Sequence, residues 1–141
     1  MEYLSKSPQQ TRQIARQFAL SLKNGDVVAL VGDLGAGKTY FTREVLKTLG
    51  IKEKIQSPSF VLRKSYSQGK TKFEHFDLYR LDVKELESTG LFEVLGDKGS
   101  ICFIEWSEKI KDKLPDRTII VELEHRGADT RRIRICRKNE T

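Results

Sequence analysis

Apolar positions along the chain follow two spacings, and each spacing predicts one kind of element. Helical spacing recurs three times. It predicts a helix that begins at Ser7 and ends at Asn24, a second over residues 38–49 and a third over residues 85–95. Ser7 can cap the first helix, and Gln10 three residues later completes a capping box. The chain therefore carries clear helix signals in its first two thirds.

Strand patterns occupy much of the remaining sequence. Residues 27–31 and 101–104 are continuous apolar runs, as in strands buried on both faces. Four further segments have strand-like composition or alternation: residues 60–66, 72–81, 118–124 and 131–136. The last two predict a closing antiparallel pair. This order predicts an α/β fold with a mixed, largely parallel central sheet, helices on both faces and antiparallel edge strands. The length of 141 residues predicts one domain over residues 1–141.

The turn between the first apolar strand and the second helix carries the most specific motif. Residues 32–39 read G-D-L-G-A-G-K-T, the G-x-x-x-x-G-K-T pattern of a Walker A phosphate loop. Its glycines let backbone N–H groups wrap around phosphate oxygens, and the next helix adds its N-terminal N–H groups. Lys38 can reach the β- and γ-phosphates, and Thr39 is placed to bind Mg²⁺. The motif predicts a P-loop NTPase whose nucleotide contacts are Asp33, Leu34, Gly35, Ala36, Gly37, Lys38, Thr39 and Tyr40.

Acidic residues near two strand ends predict the other half of such a site. Glu105 follows four apolar residues, as in a Walker B strand, where an acid binds or positions Mg²⁺. Alternation in the segment 72–81 places His75, Asp77 and Tyr79 on one face of a strand. That polar face is either part of a site or the solvated side of a strand, and spacing alone does not separate the two.

Composition limits the classes of partner and compartment. The net charge of +6 permits an acidic partner such as nucleic acid without requiring one. The basic residues near the C-terminus are either a solvated sheet edge or a contact for a phosphate backbone. Cys102 and Cys136 lack metal-ligand spacing and fit reduced thiols. We find no N-terminal signal and no apolar run of membrane-spanning length, so we expect a cytoplasmic protein with no membrane partner.

These motifs together resemble the TsaE (formerly YjeE) family, small bacterial ATPases of tRNA threonylcarbamoyladenosine biosynthesis. The resemblance covers most of the chain. It rests on G-D-L-G-A-G-K-T at 32–39, S-P-S-F at 57–60, H-F-D-L-Y-R-L at 75–81 and I-E-W at 104–106. Two positions differ from the family pattern: Ser59 stands where Thr is usual, and Ser107 stands where Pro commonly follows Glu-Trp.

The resemblance implies the cofactors and the residues of an active site. It implies ATP and Mg²⁺ as cofactors, with Lys38, Asp77 and Glu105 as catalytic residues and Thr39, Asp77 and Glu105 around the metal. Which acid binds the metal and which orients water stays open. Ser59 is expected beside the nucleotide, and Trp106 beside the nucleotide or an adjacent loop. Residues 57–60 are either a switch loop that senses the γ-phosphate or a polar turn.

The implied partners are the threonylcarbamoyl transferase subunit and its paralogous partner subunit, which modify adenosine next to the anticodon. Contact with tRNA itself is expected to be weak or indirect, and turnover without partners slow. Three rivals remain. A small-molecule kinase needs an acceptor pocket and usually a lid, and no inserted segment is long enough for them. A GTPase would normally show an Asn/Thr-Lys-x-Asp motif, which the sequence lacks. A non-catalytic nucleotide-sensing or tRNA-binding module is opposed by the predicted acids and favoured by the basic C-terminal region.

Overall fold

One mixed sheet organises the computed structural model, which describes residues 1–33, 35–55, 62–79, 81–82 and 84–140. Its seven strands lie in the order β1-β7-β6-β2-β5-β4-β3. Their bounds are β1 Glu2–Ser5, β2 Val27–Val31, β3 Arg63–Gln68, β4 Thr71–Asp77, β5 Ser100–Glu105, β6 Ile119–His125 and β7 Arg131–Arg137. The helices are α1 Pro8–Ser21, α2 Lys38–Thr48 and α3 Leu91–Leu95, with 3-10 segments at Leu86–Thr89, Ser107–Lys113 and Lys138–Glu140.

The pairing directions divide the sheet into a parallel centre and two antiparallel edges. Strands β6, β2, β5 and β4 run parallel, and antiparallel strands close both edges. The mixed sheet and its antiparallel edges are confirmed. The sheet is less parallel than expected, since three pairings are parallel and three antiparallel. One reason is β1, which the sequence analysis did not predict. Its four residues carry too little pattern to mark a strand, and its pairing with β7 is long-range.

Two apolar clusters lie on opposite faces of the sheet. Helices α1 and α2 pack on one face, over a cluster that includes Val28, Phe41 and Phe103. The other face is covered by α3 and the 3-10 segments, over a cluster that includes Phe76 and Ile104. Helices on both faces are therefore confirmed. No helix in the described ranges combines the length and the apolar character needed to cross a bilayer.

The first two predicted helices are confirmed, with small shifts in their ends. Ser7 caps α1, because its side chain accepts a hydrogen bond from the Gln10 N–H at 3.2 Å. The Gln10 side chain reaches back one residue further than a capping box requires and accepts from the Lys6 N–H at 2.7 Å. Helix α1 ends at Ser21, before the Asn24-Gly25 pair that the sequence indicated.

The predicted helix over residues 85–95 is wrong as a continuous element. Gly90 divides it into the 3-10 segment and α3, with a φ of +81° that residues with a side chain rarely adopt. A Cβ at Gly90 would lie 2.6 Å from Arg63 Nη1. That nitrogen donates to the Thr89 carbonyl at 2.9 Å. The break therefore coincides with a contact from Arg63 of β3. Helical periodicity could not predict this contact, because β3 is distant in sequence.

Strands β3 and β4 are both displaced from their predicted bounds. The turn between them is Gly69-Lys70 and not the five-residue loop expected, and β3 begins at Arg63 within the described residues. Strand β4 ends at Asp77, four residues early. Beyond it, the Lys109 ammonium donates to the carbonyls of Tyr79 and Leu81 at 2.6 and 2.7 Å, so bonds to a side chain fix this segment.

Candidate active site

The glycine loop joins the carboxyl end of β2 to α2, as its motif predicts. A Cβ on Gly32 would collide with the backbone carbonyl of Leu123 on the neighbouring strand β6, so only glycine fits this close approach. Gly37 is the N-cap of α2 and supplies no side-chain cap. The first-turn N–H groups of α2 therefore have no capping side chain at Gly37 to compete with an anion.

Lys38 is buried at the start of α2 and makes two contacts. Its Nζ donates to the Gly32 carbonyl at 2.6 Å and lies 3.5 Å from the centroid of the Trp106 ring. Burial lowers the pKa of Lys38, because a low dielectric disfavours the ammonium, and the charge of Glu105 opposes that shift. The predicted phosphate-binding cation is thus sheltered from solvent and close to acids.

Parallel pairing of β4 and β5 brings the two predicted acids together. Asp77 lies opposite Glu105 in the register, and each residue is 3% exposed. Thr39 Oγ1 donates to the Glu105 carboxylate, at 3.3 Å from Oε1 and 3.2 Å from Oε2. Asp77 Oδ1 accepts from the Tyr79 N–H at 3.0 Å. The fold thus brings Lys38, Thr39, Asp77 and Glu105 together at the carboxyl-terminal edge of the parallel strands. Their roles stay predictions.

The donor set fits a hard cation such as Mg²⁺. Thr39 and the two acids offer a hydroxyl and carboxylate oxygens, which Mg²⁺ prefers. Within the described ranges, no group of three or more His, Cys, Asp and Glu side chains is arranged to hold a metal by itself. Mg²⁺ in NTPases is usually held by one or two protein oxygens together with substrate phosphates and waters, so a complete protein cage is not required.

Two aromatic residues lie beside this edge. Trp106 has φ +61° and ψ +40°, a left-handed conformation that few residues with side chains adopt. Its ring lies 4.7 Å, centroid to centroid, from that of Tyr79. The expectation that Tyr79 shares a strand face with His75 and Asp77 is wrong, because β4 ends before it and its ring is turned onto Trp106. Trp106 itself lies at the site, through its contact with Lys38.

A cleft of about 170 Å³ opens next to the loop on the side of α1. Its lining comes from α1, the glycine loop, α2 and the β6–β7 hairpin: Pro8, Thr11, Ala36, Gly37, Tyr40, Leu123, Asp129 and Arg131. Two hydrogen bonds close its edges. Tyr40 donates its hydroxyl to the Pro8 carbonyl at 3.1 Å, and Arg131 Nε donates to the Ala36 carbonyl at 3.2 Å. Except for the loop residues and Tyr40, no sequence motif pointed to this cleft, because its walls are distant in sequence.

The remaining predicted residues divide into two groups. Asp33 is exposed and belongs to a turn in which its carbonyl accepts from the Ala36 N–H at 3.0 Å. Leu34, Ser59 and the whole segment 57–60 lie outside the described residues. The basic C-terminal region is partly neutralised, because Arg132 pairs with Glu2 at 2.6 Å and with Glu124 at 3.1 Å.

The chain is similar to known proteins over most of its length. The family model "Threonylcarbamoyl adenosine biosynthesis protein TsaE" matches residues 5–133. A Bacillus subtilis protein named "tRNA threonylcarbamoyladenosine biosynthesis protein TsaE" is 37% identical over 133 residues, which cover 94% of this chain and 83% of the relative. A Rickettsia conorii protein of the same name is 43% identical over 120 residues, with 84% and 67% covered. The resemblance drawn from the motifs is confirmed.

A solved structure agrees with these sequence relatives. The crystal structure of Bacillus subtilis YdiB superposes with a TM-score of 0.78 at 34% sequence identity. The match covers 94% of this chain and 82% of that one. The similarity therefore extends to the fold as well as to the sequence.

Proposed function

Because the chain belongs to the TsaE family of threonylcarbamoyl adenosine biosynthesis proteins, we propose that it binds ATP with Mg²⁺ and hydrolyses it to support tRNA threonylcarbamoyladenosine biosynthesis. One observation carries the proposal. The Lys38 and Thr39 side chains of the glycine loop converge with the Glu105 carboxylate, through bonds of 3.2 and 3.3 Å from Thr39 and through the proximity of Lys38. A phosphate cradle, a hydroxyl and buried acids at one point are the parts that phosphoryl transfer needs.

In the proposed reaction, the loop N–H groups and Lys38 bind the phosphates. Lys38 exchanges its bond to the Gly32 carbonyl for phosphate oxygens, which a flexible four-carbon stem allows. Thr39 and one of the two acids would hold Mg²⁺, which would supply positive charge beside the phosphates. The other acid orients the attacking water. Catalysis here rests on positioned charge, since no covalent step is required of the protein.

The cleft beside the loop is proposed to receive the nucleoside. It is continuous with Ala36 and Gly37, and its apolar wall includes Leu123 while Tyr40, Thr11 and Arg131 offer polar groups. A site of this kind, mostly apolar with a few directed polar groups, suits a flat base and a sugar. In this proposal the base would lie between α1 and the β6–β7 pair, whose residues line the cleft.

The proposed partners are the threonylcarbamoyl transferase subunit and its paralogous partner subunit. Tyr79 beside Trp106 is 54% exposed, so the aromatic side of the site offers a surface that a protein partner can cover. A γ-phosphate that no partner covers keeps its water and meets poorly organised charge, which slows hydrolysis. A protein partner that covers this side would raise turnover, and contact with tRNA would then be indirect.

The experiment is an ATP turnover assay with and without the transferase pair, on the parent, Lys38→Ala and Lys47→Ala. Lys47 is an exposed lysine on the same helix and controls for loss of a positive charge. We expect slow turnover by the parent alone, clear stimulation by the pair, and loss of turnover only in Lys38→Ala. Tight ATP binding by the parent without turnover under any condition would favour a non-catalytic nucleotide sensor.

A further inference from the structure

His75 is the most enclosed polar side chain near the proposed site. It is 0% exposed and lies in the middle of β4, paired in register with Phe103 of β5. Its Nε2 lies 2.6 Å from Glu105 Oε2. Burying a polar ring has a cost in free energy unless its nitrogens are hydrogen-bonded, so this contact must repay that cost.

The two ring nitrogens have different surroundings. Nε2 meets the Glu105 carboxylate, whereas Nδ1 has no hydrogen-bond partner within the part of the chain that the structure describes. A carboxylate only accepts, so Nε2 must carry the proton and donate it. A proton on Nδ1 would then be a buried donor with nothing to receive it. The geometry therefore assigns an Nε2–H donor to the contact between His75 and Glu105.

Glu105 consequently receives two hydrogen bonds from different elements. Thr39 donates from α2, and His75 donates from β4. A glutamate has three side-chain torsions, and a single donor leaves its carboxylate free to rotate. Two donors from separate elements fix its plane. A residue that holds a charged group in its reactive orientation contributes to catalysis without touching the substrate.

We infer that His75 is a positioning residue for Glu105: its Nε2–H bond holds the carboxylate in the orientation in which Glu105 serves the site. This inference rests on the proposed ATPase function and names a residue that sets its rate. His75 itself touches neither nucleotide nor metal in this role. The alternative is that His75 only fills space in the sheet.

Two substitutions separate positioning from space filling. In His75→Gln, the amide nitrogen can occupy the place of Nε2 and donate to Glu105. In His75→Asn, the side chain is shorter and its amide nitrogen falls near the place of Nδ1. Both variants lose the ring, so a purely structural role affects them alike. His125→Asn is the matched control, because His125 is the second of the two histidines and is exposed at the end of β6.

We expect His75→Asn to reduce the turnover number about 10- to 100-fold, the range seen when a supporting partner of a metal ligand is lost. ATP affinity should change little, since the glycine loop is untouched. His75→Gln should recover most of the rate, and His125→Asn should match the parent. In a Glu105→Gln background, His75→Asn should reduce the rate no further, because a residue that acts through Glu105 is not additive with it.

A nuclear magnetic resonance measurement tests the bond without any turnover. In His125→Asn the only imidazole is His75, so its two ring nitrogens can be assigned directly. We expect a proton fixed on Nε2, and a change in that signal when Glu105 is replaced by Gln. A proton on Nδ1, or equal rates for His75→Asn and the parent, would overturn the inference. A parent protein without ATPase activity would instead overturn the proposed function, and the ring signal would still decide whether His75 donates to Glu105.

Discussion

Two buried glutamates on adjacent strands differ in the groups that surround their carboxylates. Glu74 of β4 is 5% exposed and pairs with the Arg63 guanidinium at 2.9 Å, while Ser65 donates a second hydrogen bond. Glu105 of β5 is 3% exposed and, in the described part of the chain, forms no ion pair with Lys or Arg. Its short contacts are with a hydroxyl and an imidazole.

The difference gives a criterion for separating a structural carboxylate from a candidate catalytic one. A buried charge is tolerated when a partner charge and hydrogen bonds compensate it. Glu74 has that compensation within the protein, and the same bond raises the pKa of Arg63. Within the described residues, Glu105 has donors but no cation bonded to it, since the Lys38 ammonium is bonded to the Gly32 carbonyl. A cation from outside would complete its environment.

The largest expected difference between the two glutamates is in ATP turnover. Glu105→Gln keeps the size of the side chain but removes its charge, so we expect ATP turnover to fall about 100- to 1,000-fold, the cost of losing one organised electrostatic group. ATP affinity should survive better than turnover. The free energy of unfolding should change little, because Gln can still accept from Thr39 and His75 and the carboxylate has no bonded cation among the described residues. Steady-state kinetics and urea unfolding measure both quantities, and parent-like turnover would show that the working acid is elsewhere.

Glu74→Gln is the matched substitution on the opposite face of the sheet. It removes the partner of Arg63, so we expect unfolding to become easier by about 1–2 kcal/mol, below the cost for a fully buried pair because Arg63 is partly exposed. ATP turnover by the folded protein should equal that of the parent. A loss of turnover without a loss of stability would reverse the assignment of the two glutamates.

Trp106 gives a smaller and optical signal of the same difference. It is the only tryptophan, and its ring lies 3.5 Å from Lys38 Nζ. When Lys38 moves to a phosphate, the indole loses a neighbouring cation. We therefore expect its emission to change on titration with ATP and Mg²⁺, and to change far less in Lys38→Ala. Unchanged emission together with calorimetric binding would mean that Lys38 stays at Trp106 when nucleotide binds.

The smallest effect concerns pH. The folded-state pKa of Lys38 is lowered from 10.5, mainly by burial. Folding therefore carries a penalty for holding the ammonium at pH values below the folded pKa, and that penalty fades as pH rises through the folded pKa towards 10.5. Lys38→Met removes this ionisation. We expect the variant to gain most relative to the parent at neutral pH and to lose that advantage at alkaline pH, measured by urea unfolding from pH 7 to 10. A pH-independent difference would contradict the burial argument.

Local signals predicted the parts of the fold that depend on local chemistry. The glycine loop could be predicted from the sequence, because a phosphate-binding motif has fixed residue types at fixed spacing. The sequence also predicted strands β2, β5, β6 and β7, because burial imposes either a continuous apolar run or an alternation of apolar and polar residues. Strand β1 and the break at Gly90 were not, since each depends on one distant partner, β7 or Arg63.

The sequence by itself determined the candidates for binding phosphate and Mg²⁺, since motifs or strand ends mark Lys38, Thr39, Asp77 and Glu105, and their roles stay predictions. It placed His75 on a polar strand face without deciding between a site and a solvated strand. Only the tertiary structure decided this, because His75 becomes fully buried when β4 pairs with β5, and the acid that its ring contacts is 30 residues away in sequence. The cleft at Arg131 was decided the same way, by packing that joins Ala36 to a residue 95 positions later. Motifs record the chemistry that a short segment must perform, whereas burial and long-range hydrogen bonds exist only once the strands have assembled.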